Sequence, residues 1–183
     1  MNKTNSAVYP DLNGRSVFIS GGATGIGAAI VEAYAKQGAK TAFVDLDEVA
    51  GNKLAKRLTK DGYEVRFDVC DITNIKDYQS KIRDAAEAFG PISVLLNNAA
   101  NDVRHSLESL TEERFDELVG VNIKHAMFAA QTVAPMMKEM GSGSIINFGS
   151  VGWMMATAGY PTYGTSKAAT HGLTRSLARD LGG

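Results

Sequence analysis

The sequence predicts an α/β fold of three layers, in which one doubly wound parallel sheet lies between two layers of helices. Two observations predict it. Short apolar or β-branched runs alternate five times with longer segments whose apolar residues recur at helical spacing. The run over residues 92–100 is almost continuously apolar, as in a strand that is buried on both faces of its sheet. Alternation of this kind forms βαβ units, which make neighbouring strands parallel.

The first half of the chain supplies five predicted elements. The run SVFIS predicts a strand over 16–20, and the helical pattern over 25–38 ends at a glycine. A second strand is predicted over 41–45, and a second helix over 48–62 ends at an Asp-Gly pair. The run EVRFDV predicts a third strand over 64–69. We therefore expect two complete strand–helix units before the middle of the chain.

The second half continues the same alternation. A third helix is predicted over 74–90 and leads into the apolar strand over 92–100. A long helical pattern covers 111–140, the run SIINFGS predicts a fifth strand over 144–150, and a last helix covers 162–181. Ligands of such folds sit beyond the carboxyl ends of the strands. The residues that follow each strand are therefore the candidates for function.

Composition predicts one domain over residues 14–183, preceded by a flexible tail over residues 1–13. The chain has 183 residues, of which 44% are hydrophobic, and this length is enough for one sizeable core. The net charge of −1 gives no reason to expect a nucleic-acid partner or a polybasic membrane patch.

The cysteine and histidine content indicates the cellular compartment and whether a metal site is expected. Cys70 is the only cysteine, so no internal disulfide can form, and we expect a cytoplasmic protein. The amino terminus lacks the apolar core of a signal peptide, and no apolar run reaches membrane-spanning length. The histidines are far apart in sequence and have no cysteine neighbours, so no metal site is predicted.

The first predicted strand is followed by the glycine-rich stretch GGATGIG. Gly21, Gly25 and Gly27 allow a tight turn and a close approach of the backbone to a ligand, and Thr24 and Ile26 lie between them. The helix that starts here offers free N–H groups and a positive dipole end to a pyrophosphate. The stretch therefore predicts a dinucleotide site, although a plain glycine turn is the alternative for a motif this short.

Acidic residues follow the next two strands. Asp45 comes eighteen residues after Gly27, near the interval at which a dinucleotide fold places a carboxylate on the adenosine ribose. Since a carboxylate repels a 2′-phosphate and no cation follows it, we expect NAD rather than NADP. The alternative role of Asp45 is to cap the next helix. Asp71 and Ile72 follow the third strand and are expected to border an adenine.

The fourth strand ends in NNAA, where small residues such as Ala99 leave room for the ribose and nicotinamide. Asn98 is expected to border the cofactor, and the alternative for Asn97 and Asn98 is purely structural hydrogen bonding. Tyr163 lies four residues before Lys167, so the two share one helix face. A fixed positive charge favours the phenolate, which could act as a general base. Ser150 ends the fifth strand thirteen residues before Tyr163 and can reach the same pocket.

Taken together, these motifs resemble the short-chain dehydrogenases/reductases, which have a Rossmann-like fold. The matching pieces occur in the family's order from about residue 14 onward: GGATGIG, Asp45, CDIT, NNAA, Asn122, INFGS and YGTSK. The resemblance implies that Tyr163 is the catalytic acid/base and that Lys167 activates it and holds the nicotinamide ribose. It implies that Ser150 binds the reacting oxygen and that Asn122 completes a proton relay through water. Ala100 departs from the family, which commonly has glycine there.

Two stretches, NNAANDVRH and GSVGWM, look like those of sugar (aldose) dehydrogenases within this family. Asp102, Arg104 and His105 could offer hydrogen bonds to a polyol, and Trp153 could stack on a sugar ring. The alternatives are a solvated polar loop for the first three and an aromatic packed under a loop for Trp153. A generic alcohol or a 3-oxoacyl thioester is the alternative substrate.

The resemblance also implies that the chain stops early. Family members continue beyond the position of LARDLGG with further strands and a helix, so we expect a C-terminally truncated form that lacks the last strands of the family fold. The alternative function is a catalytically incompetent dinucleotide-binding fragment that assembles with another chain. We also expect a homo-oligomer, because the helices over 111–140 and 162–181 form the subunit interface in many relatives.

Overall fold

The computed structural model describes residues 7–182 and contains one five-stranded parallel sheet. The strands are β1 (Ser16–Ser20), β2 (Lys40–Asp45), β3 (Val65–Val69), β4 (Val94–Asn97) and β5 (Ser144–Asn147). Their spatial order is β3-β2-β1-β4-β5, and every neighbouring pair is parallel. The predicted doubly wound α/β class is therefore confirmed.

Six helices connect and cover the strands. They are α1 (Gly25–Lys36), α2 (Glu48–Lys60), α3 (Ile75–Phe89), α4 (Glu112–Val119), α5 (His125–Met140) and α6 (Pro161–Leu181). Three of them begin at a residue whose side-chain oxygen accepts a hydrogen bond from the backbone N–H three residues later. These N-cap residues are Asp47, Asn74 and Thr111. Each such cap contributes about 1 kcal/mol by satisfying a free donor of the first turn.

The two faces of the sheet have separate cores because successive side chains of a strand point to opposite faces. On β1, Val17 and Ile19 pack with α1 and α2, whereas Phe18 packs with α3 and α5. All three side chains are buried. Burial of an apolar side chain of this size contributes about 1.5 to 3 kcal/mol, so the sheet is held between both helix layers by the hydrophobic effect.

The chain reverses its direction of winding between β1 and β4. From β1 it moves outward to β2 and β3, and it then crosses back so that β4 pairs with the other side of β1. The carboxyl ends of these two central strands are in register, with Ser20 beside Asn97. A crevice opens at such a reversal because the connections leave the two strand ends in opposite directions.

Most predicted boundaries agree to within two residues, and three differ in a way that matters for the site. The helix predicted over 111–140 is interrupted by a single π-helical segment at Gly120–Lys124, which separates α4 from α5. The fourth and fifth strands end at Asn97 and Asn147, earlier than predicted, because the residues that follow leave the ladder for contacts across the crevice. An apolar sequence pattern cannot distinguish such residues from a strand, since they are also partly buried.

The strand β5 forms one edge of the sheet within residues 7–182. A groove of about 710 Å³ runs along it, between the end of α5 and the second half of α6. Ile145 and Asn147 line the groove, and Ile146 is 38% exposed. The outer edge of β5 therefore offers unpaired backbone groups and apolar surface.

The expected tail of residues 1–13 lies partly outside the described residues, which begin at residue 7. Residues 7–13 lie against the turn after α1, because the Gln37 side chain bonds this segment twice. The amide of Tyr9 donates to Gln37 Oε1 at 2.8 Å, and Gln37 Nε2 donates to the Ala7 carbonyl at 3.0 Å. A short 3-10 turn over Pro10–Leu12 leads from this contact into β1.

Across residues 7–182, no helix is long and apolar enough to cross a bilayer. Within the same span, His, Cys, Asp and Glu side chains form no group of three or more that could hold a metal ion. Cys70 is buried, and burial raises the pKa of its thiol to about 12. The thiol therefore stays protonated at neutral pH and is a poor nucleophile.

Candidate active site

The glycine loop packs against the end of β4, and two of its glycines cannot carry a side chain. A Cβ on Gly27 would lie 1.8 Å from the Gly21 carbonyl oxygen. Gly21 itself has φ +68°, and a Cβ there would lie 2.8 Å from the Ala99 Cα. The first turn of α1 is therefore drawn close to the loop and to β4, as the predicted dinucleotide site requires.

The remaining loop residues expose the start of α1. Thr24 is the extended residue before the helix, and Gly25 is its first residue. Ile26 in the first turn is 68% exposed although it is strongly apolar. The first amides of a helix lack intrahelical acceptors, so this end can bind an anion while Ile26 packs against an apolar part of the same ligand.

Asp45 holds the glycine loop at the end of β2. Its Oδ2 accepts a hydrogen bond from the Ala23 amide at 2.9 Å, and its Oδ1 accepts one from the Asp47 amide at 3.1 Å. The cap of α2 is Asp47, whose Oδ1 accepts from the Ala50 amide, so the alternative interpretation of Asp45 as the cap is wrong. The Asp45 carboxylate is therefore fixed beside the crevice.

Of the two residues predicted to border the adenine after β3, Asp71 is exposed and Ile72 is buried in the core. Asp71 is exposed, and its Oδ1 accepts hydrogen bonds from the Thr73 amide and hydroxyl at 2.9 and 2.7 Å. The Ile72 side chain packs into the core under α3, with only 7% of the residue exposed. An adenine in the crevice could therefore contact the side chain of Asp71. It could contact only the backbone of Ile72, because the Ile72 side chain is in the core.

The residues after β4 tie this strand to β1. Asn98 Nδ2 donates to the carbonyls of Gly21 and Ser20 at 2.8 and 3.1 Å. The amides of Asn98 and Ala99 both donate to the Ser20 hydroxyl at 3.2 Å. Asn98 therefore has the structural role that was its alternative interpretation, and through it the floor of the crevice is fixed.

Tyr163 and Lys167 lie one turn apart on α6, with Lys167 Nζ 5.6 Å from the centroid of the Tyr163 ring. Lys167 is 3% exposed, and its ammonium donates to the Phe148 carbonyl at 2.6 Å. Burial lowers the pKa of Lys167. A carbonyl just beyond β5 therefore anchors the cation beside the phenol.

Ser150 lies on the same side of the crevice. Its Oγ accepts a hydrogen bond from the Gly152 amide at 3.0 Å. A Cβ built on Gly152 would lie 3.2 Å from Ser150 Oγ and 3.3 Å from Tyr160 Oη, so two hydroxyl groups flank one point. A cavity of about 540 Å³ opens here, and Ser150, Trp153 and Lys167 are among its lining residues.

Asn122 lies in the π-helical segment and is 2% exposed. Its side chain pairs with the backbone of Asn101, accepting from the amide and donating to the carbonyl, both at 2.9 Å. One extra residue in a helical turn directs a side chain or carbonyl away from the regular ladder, and such segments are frequent at functional sites. Asn122 therefore fixes the start of the loop that follows β4.

His125 begins α5 below this segment and is 1% exposed. Burial, and to a smaller degree the positive charge of Lys167, lower the pKa of His125 to about 4. No described residue forms a hydrogen bond of good geometry with either ring nitrogen. The imidazole is therefore neutral at physiological pH. Of the two buried basic groups, His125 and Lys167, only Lys167 then carries a positive charge.

The four candidate substrate residues have different positions. Asp102 is exposed, and Trp153 is 37% exposed with its ring 6.3 Å from that of His171. Arg104 and His105 contact the loop after β5, with Arg104 Nη1 donating to the Ala158 carbonyl at 2.6 Å. His105 Nε2 lies 3.1 Å from Thr162 Oγ1. The polar groups of these two residues are thus engaged within the chain.

Tyr160 and Ser20 belong to the site although the sequence did not single them out. Tyr160 lies three residues before Tyr163, and the two rings meet edge to face with centroids 5.2 Å apart. An aromatic residue one turn before the candidate base was a signal that could have found it. The role of Ser20 depends on β4 lying beside β1, and no local pattern reveals that pairing.

Comparison with known proteins agrees with this geometry. The family model described as short chain dehydrogenase matches residues 15–183. The probable galactose dehydrogenase of Rhizobium meliloti (strain 1021) is 42% identical over 178 residues, which are 97% of this chain and 70% of that protein. The D-xylose 1-dehydrogenase of Caulobacter vibrioides is 40% identical over 177 residues, with the same coverage.

A solved structure shows the same fold. The blue fluorescent protein from a metagenomic library, in complex with NADPH, aligns with a TM-score of 0.86 and 32% identity. The alignment covers 93% of this chain and 70% of that one. The family model spans nearly the whole chain, and the solved relative has the same overall fold. The chain therefore belongs to the short-chain dehydrogenase family.

Proposed function

We propose that the protein is an NAD-dependent dehydrogenase that oxidises a sugar hydroxyl to a carbonyl. The observation that carries this proposal is the placement of Tyr163 beside the buried Lys167 cation, across the crevice from the loop that Asp45 holds. Oxidation of an alcohol needs a base for the hydroxyl proton and an acceptor for the hydride. The nicotinamide supplies the acceptor when it is bound, because amino-acid side chains cannot accept hydride.

The proton is handled by residues of this chain. Lys167 favours the phenolate of Tyr163, which takes the proton from the substrate hydroxyl. Ser150 donates a hydrogen bond to the same oxygen as its charge changes. Asn122 completes a relay by which the proton leaves through water, and its contact with Asn101 keeps the neighbouring loop in place. In the reverse direction the phenol returns the proton to the carbonyl oxygen.

The chain's residues fit a dinucleotide. The exposed first turn of α1 suits the pyrophosphate, Asp45 suits the adenosine ribose and Asp71 suits the adenine edge. Lys167 and Ala99 lie where the nicotinamide half would be held. We propose NAD rather than NADP because the Asp45 carboxylate, fixed by two amides, would repel a 2′-phosphate.

Asp45→Ser should move the cofactor preference toward NADP. The serine is neutral and shorter than the aspartate, so the negative charge is gone and the repulsion of a 2′-phosphate disappears. We expect the ratio of kcat/KM for NAD to that for NADP to fall by about 10- to 100-fold, or about 1.4 to 2.8 kcal/mol. Steady-state kinetics with both cofactors measures this ratio.

The matched control is Asp61→Ser, which removes an exposed acid at the end of α2 and changes the net charge equally. This variant should keep the wild-type ratio. A ratio that is unchanged in Asp45→Ser would mean that the carboxylate does not face the adenosine ribose. An equal change in both variants would assign the effect to net charge alone.

An aldose is the proposed substrate, oxidised at its anomeric carbon to a lactone. Two relatives that are at least 40% identical are named as galactose and D-xylose dehydrogenases. Asp102 is exposed beside the crevice and can accept sugar hydroxyls, and Trp153 lines the cavity next to Ser150 with part of its ring accessible. Aromatic faces suit the apolar face of a sugar ring, and carboxylates suit its hydroxyls.

NADH formation over a panel of aldoses, polyols and simple secondary alcohols tests this proposal. We expect turnover with aldoses, including galactose and xylose, and little with simple alcohols. The reverse assay follows NADH oxidation by a 3-oxoacyl thioester, which is the alternative substrate. Faster turnover of the thioester or of a simple alcohol would overturn the sugar assignment while keeping the dehydrogenase assignment.

The open edge of β5 favours a second candidate function, a dinucleotide-binding module that needs another polypeptide for activity. Ile145 lines the groove along this edge, and Val151 and Met154, which line the neighbouring cavity beside Ser150, are strongly exposed. NAD binding by calorimetry without turnover of any substrate would support this candidate. The predicted homo-oligomer through α4, α5 and α6 stays a prediction, and light scattering measures it.

A further inference from the structure

Two loops meet over the candidate base. One follows β4 and covers residues 101–111, and the other follows β5 and covers residues 148–160. The His105 amide donates to the Gly159 carbonyl at 2.8 Å, and Arg104 Nη1 donates to the Ala158 carbonyl at 2.6 Å. Gly159 has φ +89°, and a Cβ there would lie 3.1 Å from Arg104 Nη1. The loops are thus closely fitted at this point.

Arg104 reaches Tyr163 through Tyr160. The guanidinium carbon of Arg104 lies 4.6 Å from the centroid of the Tyr160 ring, which is cation–π geometry. The Tyr160 ring then meets the Tyr163 ring edge to face, with an interplanar angle of 85°. Arg104, Tyr160 and Tyr163 therefore contact one another in series, and Tyr163 is the candidate base.

His105 contacts Thr162, the residue directly before Tyr163. His105 Nδ1 lies 3.1 Å from the Val103 carbonyl, which can only accept a hydrogen bond, so Nδ1 carries the proton. In the neutral ring, Nε2 then accepts from the Thr162 hydroxyl at 3.1 Å. Thr162 is 2% exposed. The first turn of α6 is therefore fixed immediately before Tyr163.

The loop after β5 is anchored at its start by the bond from Lys167 to the Phe148 carbonyl, whereas the backbone bonds of residues 151–157 are made within the loop itself. Val151, Met154 and Met155 are between 66% and 73% exposed, so these side chains contribute little burial. Ala156 has φ +50°, a left-handed conformation that costs about 1 to 2 kcal/mol for a residue with a Cβ. A loop with these properties needs specific contacts to stay in one conformation, and those made by Arg104 and His105 lie at its carboxyl end.

We propose that Arg104 and His105 form a clasp that positions Tyr163, Arg104 through Tyr160 and His105 through Thr162. Both are positioning residues in this assignment, and neither needs to touch the substrate. The clasp deepens the proposed function and rests on it, because Tyr163 is the base whose orientation it sets. The clasp itself is a loop–loop contact that can be measured without turnover.

Trp153 provides that measurement, since it is the only tryptophan and lies in the loop after β5. We expect Arg104→Gln and Tyr160→Leu each to raise the rate constant for acrylamide quenching of Trp153 about twofold, because the loop gains freedom. Tyr160→Phe keeps the ring and should restore the wild-type value. Arg83→Gln removes an exposed guanidinium on α3 and is the matched control.

Kinetics provide the second measurement. We expect Arg104→Gln and Tyr160→Leu each to lower kcat about tenfold with little change in KM for NAD, because a misplaced base slows the chemical step. If Arg104 acts through Tyr160, the double variant should be no slower than the slower single variant. Arg104→Lys keeps the charge but not the planar stack, and it should behave like Arg104→Gln.

Three results would overturn the clasp. The first is unchanged quenching in Arg104→Gln. The second is a rise in the sugar KM alone, which would make Arg104 a substrate ligand. The third is a double variant whose losses multiply to about 100-fold. If the wild-type chain shows no turnover, the proposed function fails but the quenching experiment still decides the clasp.

Discussion

Tyr163→Phe is expected to lower turnover about 10³-fold while leaving NAD binding intact. The phenolate is the only group at the site proposed to take the substrate proton, and phenylalanine keeps the ring that packs against Tyr160. General acid–base catalysis contributes about 10²- to 10⁴-fold, so we expect kcat/KM to fall by about 10³-fold, or about 4 kcal/mol in transition-state stabilisation. Initial rates of NADH formation and calorimetric titration with NAD measure the two effects.

The matched control for this variant is Tyr63→Phe, which removes the hydroxyl of a half-buried tyrosine between α2 and β3. Its kcat/KM should equal that of the wild type. Residual activity above about one tenth in Tyr163→Phe would assign the proton to another group. Loss of NAD binding together with activity would show a disturbed crevice rather than a missing base.

Lys167→Met should lower kcat by about 10²-fold and weaken NAD binding as well. The methionine side chain is close in length to lysine but has no ammonium, so Tyr163 loses the charge that favours its phenolate. The bond to the Phe148 carbonyl is lost too. We therefore expect the loss in kcat to exceed the loss that follows from weaker NAD binding alone, as single-turnover rates at saturating NAD would measure.

The stability of Lys167→Met separates this effect from unfolding. Burial lowers the pKa of Lys167, which means that desolvation of its ammonium costs free energy in the folded state. Methionine removes that cost but leaves the Phe148 carbonyl without its donor, which costs about 1 to 3 kcal/mol. We expect these terms to offset each other to within about 2 kcal/mol in the free energy of unfolding from urea denaturation. Full activity with normal stability would contradict the role of Lys167.

Local sequence patterns were sufficient for the fold class and for the first strand, whose end forms one side of the crevice. The first strand was predicted over 16–20 and is Ser16–Ser20, because its apolar run is bounded by turn residues on both sides. The glycine loop was predicted from spacing alone, and the contact between Gly27 and Gly21 explains why those positions lack side chains. Such features depend on neighbours in sequence and can be read from it.

Contacts between distant segments could not be predicted. The pairing of Asn122 with the backbone of Asn101 requires the π-helical segment, which adds one residue to a turn without changing the apolar pattern around it. The stacking of Arg104 on Tyr160 brings together two residues that are more than 50 positions apart in the sequence. The sequence allowed two interpretations of Arg104 and His105, as substrate ligands or as part of a solvated polar loop, and neither includes their contact with the loop after β5.

The sheet has two edge strands, and this has a consequence for how fast its amides exchange with solvent. The amides of β1 are held between two neighbouring strands, so hydrogen exchange should be slowest there, whereas β3 and β5 are each bonded on one side within residues 7–182 and should exchange faster. We therefore expect the centre of the crevice to be its most rigid part and both outer ends to be softer. A ligand that spans the crevice from the β3 side to the β5 side should then slow exchange at both ends while leaving that of β1 nearly unchanged.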